Sequence, residues 1–277
     1  EVRVGTAADP TGQDETVRSF GKEAELSTAG AHLLLDEETG GNSGRYSVYL
    51  RTLTGPEAGT VVRLGDGNAL ALSPDGRWAL SLLPTSPPQL ELLPTGAGEP
   101  RQLTHGLLSF LPAAAFLPDS AGILAVASAP GQPPRTYRIS LNGSLTPMTP
   151  AGVFGAWPTP DGKSVLVRNS NHQWFLYPLA VGAQPAPVHT LSADDVPLGF
   201  GATSNQLFVT RIPSGPSAPV FRLNLHTGQR TQLATARAPE PAGVEGVAVQ
   251  SISRDGKTFA FSYSLFPSTL YVVSGLH

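Results

Sequence analysis

The chain has 277 residues, no cysteine and a formal net charge of −3. The absence of cysteine excludes disulfides, a thiolate nucleophile and a Cys-ligated metal. No basic run could follow a phosphate backbone and no run of 18 apolar residues could cross a membrane, so we expect neither a nucleic-acid partner nor direct membrane insertion.

The composition predicts an all-β fold. Charged residues make up 14% of the chain, well below the roughly 25% of an average globular protein. The chain also contains 30 glycines and 27 prolines, which suits many short strands joined by many turns. At this length, a barrel or propeller commonly folds as one domain.

The residues from Asn68 to Leu80 show a pattern that returns along the whole chain. An apolar strand ends at a Pro74-Asp-Gly76 turn, and Trp78 and Leu80 then resume the period of two that marks a half-buried strand. Proline sets φ for such a turn, aspartate accepts hydrogen bonds from its backbone and glycine permits its conformation. The pattern therefore predicts a hairpin that is the repeating unit.

Six such turns occur at a nearly constant period. With Asp75 as the register mark, the spacings along the chain are 46, 44, 42, 43 and 51 residues. The marks are Ala29, Asp75, Asp119, Asp161, Ser204 and Asp255. Units of about 40 to 50 residues with four strands each are typical of a β-propeller. We predict a six-bladed β-propeller with four-stranded antiparallel blades.

The predicted propeller occupies residues 1–277 as a single domain. Each blade ends in a more polar strand, which suits an exposed edge. The predicted blades are about 21–65, 66–104, 105–149, 150–192, 193–235 and 236–277. The last blade stops after the strand predicted at 270–273, so we expect the N-terminal segment 1–20 to supply its outer strand and close the ring, through either 2–4 or 16–20.

Several stretches resemble a known family of propellers. The run from Ser73 to Trp78, Ser-Pro-Asp-Gly-Arg-Trp, is similar to the inner hairpin of TolB-type, WD40-like repeats. Residues 33–51, 63–76, 92–106 and 270–276 resemble the C-terminal propeller of acidobacterial serine/threonine protein kinases. In those proteins the propeller generally follows a kinase domain and a membrane span. The resemblance implies a bacterial sensor domain in a periplasmic or other extracytoplasmic location.

Catalytic and metal-binding patterns are weak in this sequence. The nearest match to a serine-hydrolase elbow, Gly41-Asn-Ser-Gly44, continues with Arg45 where the motif requires glycine. The six histidines are scattered without a metal-binding doublet. The acidic run Asp36–Glu38 could hold calcium with loop carbonyls, but calcium usually takes six to eight oxygens, and we favour a solvated loop. The recurring turn aspartates are structural acceptors. We predict no catalytic residue, no metal and no cofactor.

Propeller topology places a candidate binding site at the channel mouth, where the loops between second and third strands meet those joining consecutive blades. Exposed aromatic and arginine side chains are the usual anchors of such a surface. For each aromatic residue, packing between blades is the alternative. The candidate residues are Arg45, Asp66, Asn68, His105, Phe110, Trp157, Phe200, Arg211, Gln250 and Phe266.

Two functional classes follow from these observations. We favour a non-catalytic, monomeric recognition or sensor propeller that binds a protein, peptide or small ligand at the channel mouth, within a larger bacterial signalling protein. The alternative is a propeller-fold enzyme, such as a metal-dependent hydrolase or lactonase, that uses the central channel. An enzyme would need three or more carboxylates, amides or imidazoles around the channel axis. A third possibility is a scaffold within a longer protein.

Overall fold

A computed structural model describes residues 1–16, 21–38, 46–180, 182–213 and 215–265, and all regular secondary structure in these ranges is β. The first twelve strands are β1 (Val2–Thr6), β2 (Gln13–Asp14), β3 (Gly21–Leu26), β4 (His32–Glu38), β5 (Tyr46–Thr52), β6 (Val61–Asp66), β7 (Asn68–Leu72), β8 (Trp78–Leu83), β9 (Gln89–Pro94), β10 (Arg101–Gln102), β11 (Ser109–Phe116) and β12 (Gly122–Ser128). The others are β13 (Arg135–Ser140), β14 (Leu145–Pro147), β15 (Val153–Pro158), β16 (Ser164–Asn169), β17 (Trp174–Pro178), β18 (Ala186–Val188), β19 (Asp195–Phe200), β20 (Gln206–Arg211), β21 (Ser217–Asn224), β22 (Arg230–Arg237), β23 (Val244–Ile252) and β24 (Thr258–Leu265).

The described strands form six four-stranded antiparallel sheets. Five sheets are meanders of four consecutive strands, from β3–β6 through β19–β22, and the sixth has the order β2-β1-β24-β23. The predicted six-bladed propeller is therefore confirmed.

The second strand of each blade is buried on both faces because neighbouring blades pack against it. Every residue from Ile123 to Ala127 in β12 has no exposed surface, and Leu33, Leu34 and Leu35 in β4 are equally buried. These strands are therefore continuous apolar runs, in contrast to the alternation of a strand with one wet face. One core cluster shows the arrangement, since it joins Leu80 and Leu90 of the second blade to Phe110 and Ile123 of the third.

The inner strand of every blade contains a β-bulge. The register shifts lie between Gly21 and Ala24, Ala69 and Ala71, Phe110 and Ala114, Phe154 and Trp157, Pro197 and Gly199, and Val249 and Ser251. A bulge re-aims the side chains around it and increases the local twist. Residues at these bulges, among them Leu70, Leu198 and Gln250, line the space around the propeller axis.

The repeating turn has the predicted hydrogen bonds. Asp75 Oδ1 accepts bonds from Arg77 N at 3.1 Å and Ser73 Oγ at 2.7 Å. The Ser73 hydroxyl has the largest effect in lowering the pKa of Asp75 below its usual range. The structural role of the turn aspartates is confirmed. In the fifth blade the equivalent mark is Thr203, one residue before the predicted one, because Gly201 N donates to Gln206 O as Ser73 N donates to Trp78 O.

The N-terminal segment closes the ring with two strands. β1 pairs with β24, with Val2 opposite Ser262 and Thr6 opposite Thr258, and β2 lies outside β1. The choice of residues 2–4 for pairing is confirmed, but these residues form the third strand, where we expected 270–273. That expectation was wrong because β1 occupies the position beside β24. Residues 266–277 lie outside the described residues.

The strand order defines two faces of the propeller. The turn face carries the hairpins between first and second strands, such as 73–78. The loop face carries the connections between second and third strands and between consecutive blades. The axial channel is the space between the six inner strands.

Candidate functional site

The structure separates the candidate site residues into three groups. Asp66, His105 and Arg211 lie on the loop face with exposed or half-buried side chains. Trp157 and Gln250 line the axial channel, whereas Phe110 and Phe200 are buried. Asn68 is half-buried at the start of β7. Arg45 and Phe266 lie outside the described residues.

Phe110 and Phe200 present little exposed aromatic surface. Phe110 is 2% exposed and packs in the core between the second and third blades, and Phe200 is 9% exposed and packs against the fourth blade. Phe200 is the last residue of β19, next to the turn face, because the strand already begins at Asp195. Both rings therefore pack between blades, which is the alternative role that we gave for these aromatic residues.

Trp157 lies inside the channel instead of at its loop-face mouth. It is the fifth residue of β15, so it sits towards the turn face. Its ring packs edge-on against Trp174, with 5.9 Å between centroids and an interplanar angle of 62°. This geometry is typical of a stabilising aromatic pair.

Asn68 forms a structural hydrogen bond at the junction between the first two blades. Asn68 Nδ2 donates to Asp36 Oδ2 at 3.1 Å, and Ala69 N donates to the same oxygen at 3.0 Å. Asp36 is fully buried. Asp66 forms an exposed ion pair with Arg63, so its carboxylate remains accessible on the loop face.

Arg211 belongs to a charge network centred on Asp195. Arg211 Nε lies 3.8 Å from Asp195 Oδ1, and Arg230 makes a two-pronged contact with the same carboxylate. Burial acts to raise the pKa of Asp195, but the hydrogen bonds from Arg230 and Ser192 outweigh it and hold the pKa below its usual range. Arg230 is the main partner of Asp195, and the half-exposed Arg211 keeps a surface towards solvent.

Exposed apolar side chains mark the same face and were missed by sequence reasoning. Among the described large apolar residues that are exposed, Leu107 (76%), Ile212 (56%) and Leu265 (47%) lie on the loop face. Leu107 is two residues from His105, and Ile212 adjoins Arg211. Val62 and Leu145 lie in outer strands. Periodicity does not reveal Leu107 and Ile212 because they lie in connections without a strand pattern, and Leu265 is the last residue of β24.

The axial channel contains two connected voids of about 210 and 190 Å³. Both are lined by Glu25, Leu70, Ala114, Trp157 and Gln250. The larger void continues to the turn face, and the smaller one extends towards the loop face. Burial raises the pKa of Glu25 to about 8, so this carboxyl is protonated at neutral pH. Glu25 is the one acid among the described lining residues of the channel.

A larger cavity lies on the turn face. It has a volume of about 930 Å³ between the first two blades and includes Leu50, Val62, Asp75 and Arg254 in its wall. Hairpins and outer strands from separate blades build it, so no single stretch of sequence signals it.

Two further findings concern metal ions and membranes. In the described ranges, no three His, Asp or Glu side chains are grouped closely enough to hold a metal ion. The same ranges contain no helix with the length and apolar character needed to cross a membrane.

The architecture defines a six-bladed β-propeller, and solved structures show the same fold. TolB from Acinetobacter baumannii is similar over 86% of this chain, with 18% identity and a TM-score of 0.61, and the chain covers 65% of that protein, less than two thirds. A protein assigned as TolB from Agrobacterium tumefaciens is similar over 96% of this chain and 98% of its own, with 17% identity and a TM-score of 0.65. The chain thus has a TolB-type propeller fold.

Other comparisons limit what the fold implies. A puromycin-hydrolyzing peptidase from Mycobacterium tuberculosis is similar over 83% of this chain and 40% of its own, with 18% identity and a TM-score of 0.51. No family model and no curated protein matches the sequence. Because one fold hosts many activities, function has to be argued from the site.

Proposed function

We propose that this chain is a non-catalytic recognition module that binds a protein or peptide on its loop face. The observation that carries the proposal is that three of the five exposed large apolar side chains of the described residues lie on this face, Leu107 and Ile212 in loops and Leu265 at the end of β24. Exposed apolar groups that share one face are typical of interaction surfaces. The polar residues His105, Arg211 and Asp66 lie on the same face.

The framework under these loops favours a preformed surface. Arg211 is held near the Asp195–Arg230 pair, and Gln89 Nε2 donates to Leu108 O at 2.8 Å, which anchors the connection that carries Leu107. A surface that is already ordered loses less conformational entropy when a partner binds. This supports recognition by rigid loops.

The wider context of the proposal rests on resemblance. We infer that the module belongs to a larger bacterial signalling protein and works as an extracytoplasmic sensor, because its repeats resemble the propellers of acidobacterial kinases. A membrane topology assay on the full-length protein, with a reporter fused after residue 277, tests the location. A cytoplasmic reporter signal would contradict it.

The binding face is tested by peptide selection with matched variants. Peptides selected from a displayed library against the wild-type chain should bind the Leu107→Asp/Ile212→Asp double variant at least about 10-fold more weakly, because each aspartate places a charge in the apolar contact. Val62→Asp is the control, since Val62 is similarly exposed but lies on an outer strand. Equal binding to all three proteins, or loss with Val62→Asp alone, would refute the loop face as the site.

A further inference from the structure

The carboxyl of Glu25 has no structural partner among the described residues. Other buried acids are engaged: Asp195 contacts Arg230, Asp36 accepts two hydrogen bonds and Glu15 pairs with Arg51. For Glu25 the described residues provide no hydrogen bond and no ion pair, and burial alone shifts its pKa. The carboxyl of Glu25 therefore makes no contact with a described residue that would hold the inner strands together.

The space beside Glu25 suits a group of side-chain size. The two voids of about 210 and 190 Å³ meet at Glu25, and each is smaller than the roughly 300–1,000 Å³ of a drug-sized ligand site. The other described residues of the wall are mostly small, such as Ala114 and Ala113, together with Leu70 and Trp157. Such a wall leaves room for a short, unbranched chain.

The charge of the lining selects the end group of that chain. Calcium needs six to eight oxygen ligands, whereas the side chains of the described lining supply oxygens chiefly from Glu25 and Gln250. An ammonium group instead pairs with a single carboxylate and is also attracted to the face of an indole ring. Arg254 is the other charged side chain of the described lining, and it lies at the turn-face end of the larger void. Among the described lining residues of the smaller void, which passes Pro112 and Pro197 towards the loop face, a cation meets no like charge.

We propose that the axial channel binds one protonated amine on a short aliphatic chain, with Glu25 as its counter-charge and Trp157 in the same wall. The amine belongs to a small organic molecule or to a lysine side chain, which share this chemistry. The site is distinct from the exposed loop-face surface and does not require a partner there.

Binding should expel a proton from Glu25. The carboxyl is protonated at neutral pH because burial raises its pKa to about 8, and an ammonium group beside it favours the ionised form. Close to one proton is therefore released per amine bound near neutral pH, and almost none at about pH 9.5, where Glu25 is already ionised.

Isothermal titration with n-butylammonium chloride, in buffers of different ionisation enthalpy, measures both binding and proton release. We expect saturable binding to the wild-type chain and no binding of 1-butanol, which has the same chain without the charge. Glu25→Gln should weaken binding at least about 10-fold, and Trp157→Leu should weaken it about 3-fold. Glu57→Gln, at an exposed position of the same blade, should bind as wild type.

A second arm identifies the source of the amine. A Gly-Gly-Lys-Gly-Gly peptide with blocked ends is compared with its norleucine counterpart. Tighter binding of the lysine peptide than of n-butylammonium assigns the site to a side chain, and the reverse order assigns it to a small amine. Absence of saturable n-butylammonium binding, equal binding by Glu25→Gln, or binding without proton release would overturn the proposal. Peptides that still bind the loop face would then leave the proposed function intact.

Discussion

Glu25 should make the stability of this propeller depend on pH in a way that one substitution removes. Burial raises the pKa of this carboxyl to about 8 in the folded chain, against 4.5 for an unperturbed glutamate. Between these values the unfolded chain ionises Glu25 while the folded chain keeps it protonated. The unfolded state is therefore favoured progressively as the pH rises, and the contribution of Glu25 to stability is fully present below about pH 4.5 and lost by about pH 8.

The size of the effect follows from the separation of the two pKa values. One pH unit corresponds to about 1.4 kcal/mol, so the free energy of unfolding should fall by at most ~5 kcal/mol across this range. Water that enters the channel solvates the carboxylate and reduces this value. For a chain of this length, about 2 °C of melting temperature accompanies each kcal/mol, which predicts a decrease of up to ~10 °C.

Thermal melts of wild type and Glu25→Gln at intervals from pH 4.5 to 8.5 measure this contribution. Glutamine preserves the size of the side chain and cannot ionise, so the variant should be more stable than wild type at pH 8 and similar to it near pH 4.5. Glu57→Gln removes an exposed carboxylate and should follow the wild-type curve. Parallel curves for wild type and Glu25→Gln would refute the argument that burial in the channel controls this carboxyl.

One deletion and three substitutions test the ring, a turn and a buried charge. Deletion of residues 1–16 removes two of the four strands of the last blade and should lower the melting temperature by at least ~10 °C; an unchanged melting curve would contradict ring closure by β1. Gly67→Ala should cost at least ~3 kcal/mol in urea unfolding, because φ is +99° and a Cβ would lie 2.7 Å from a carbonyl oxygen. Gly76→Ala, with φ +72° and open space, should cost about 1–2 kcal/mol, and equal losses would argue against the close approach at Gly67. Arg230→Ala leaves the buried Asp195 without its main partner and should cost roughly 2–4 kcal/mol at neutral pH. The difference in free energy of unfolding between Arg230→Ala and wild type should become smaller as the pH falls and Asp195 is protonated. A difference that stays constant with pH would show that loss of the charge pair does not cause it.

Much of the fold could be predicted from local sequence. The Ser73-Pro-Asp-Gly turn forms through hydrogen bonds between residues five or fewer apart, so its repetition identified the blades. The apolar run of β12 likewise reflects a strand covered on both faces. The prediction of the third strand of the last blade was wrong because pairing there joins distant residues. β1 pairs with β24 across more than 250 residues, and no local pattern distinguishes a third strand from an outer one.

The candidate site depended more strongly on tertiary structure. The sequence identified His105, Arg211 and Asp66 on loops, and these side chains do reach the loop face. It could not show that Phe110 packs inward while Leu107 points to solvent, since exposure depends on the neighbouring blade.

The sequence by itself determined the repeat, the number of blades and the chemistry of the turns, because short-range hydrogen bonds and the apolar runs of buried strands depend on adjacent residues. Tertiary structure decided which strand closes the ring and which side chains share the channel. The position of Glu25 shows the physical reason. Its burial comes from inner strands that are far apart in the chain, and burial is what changes its pKa from that of an ordinary glutamate to about 8.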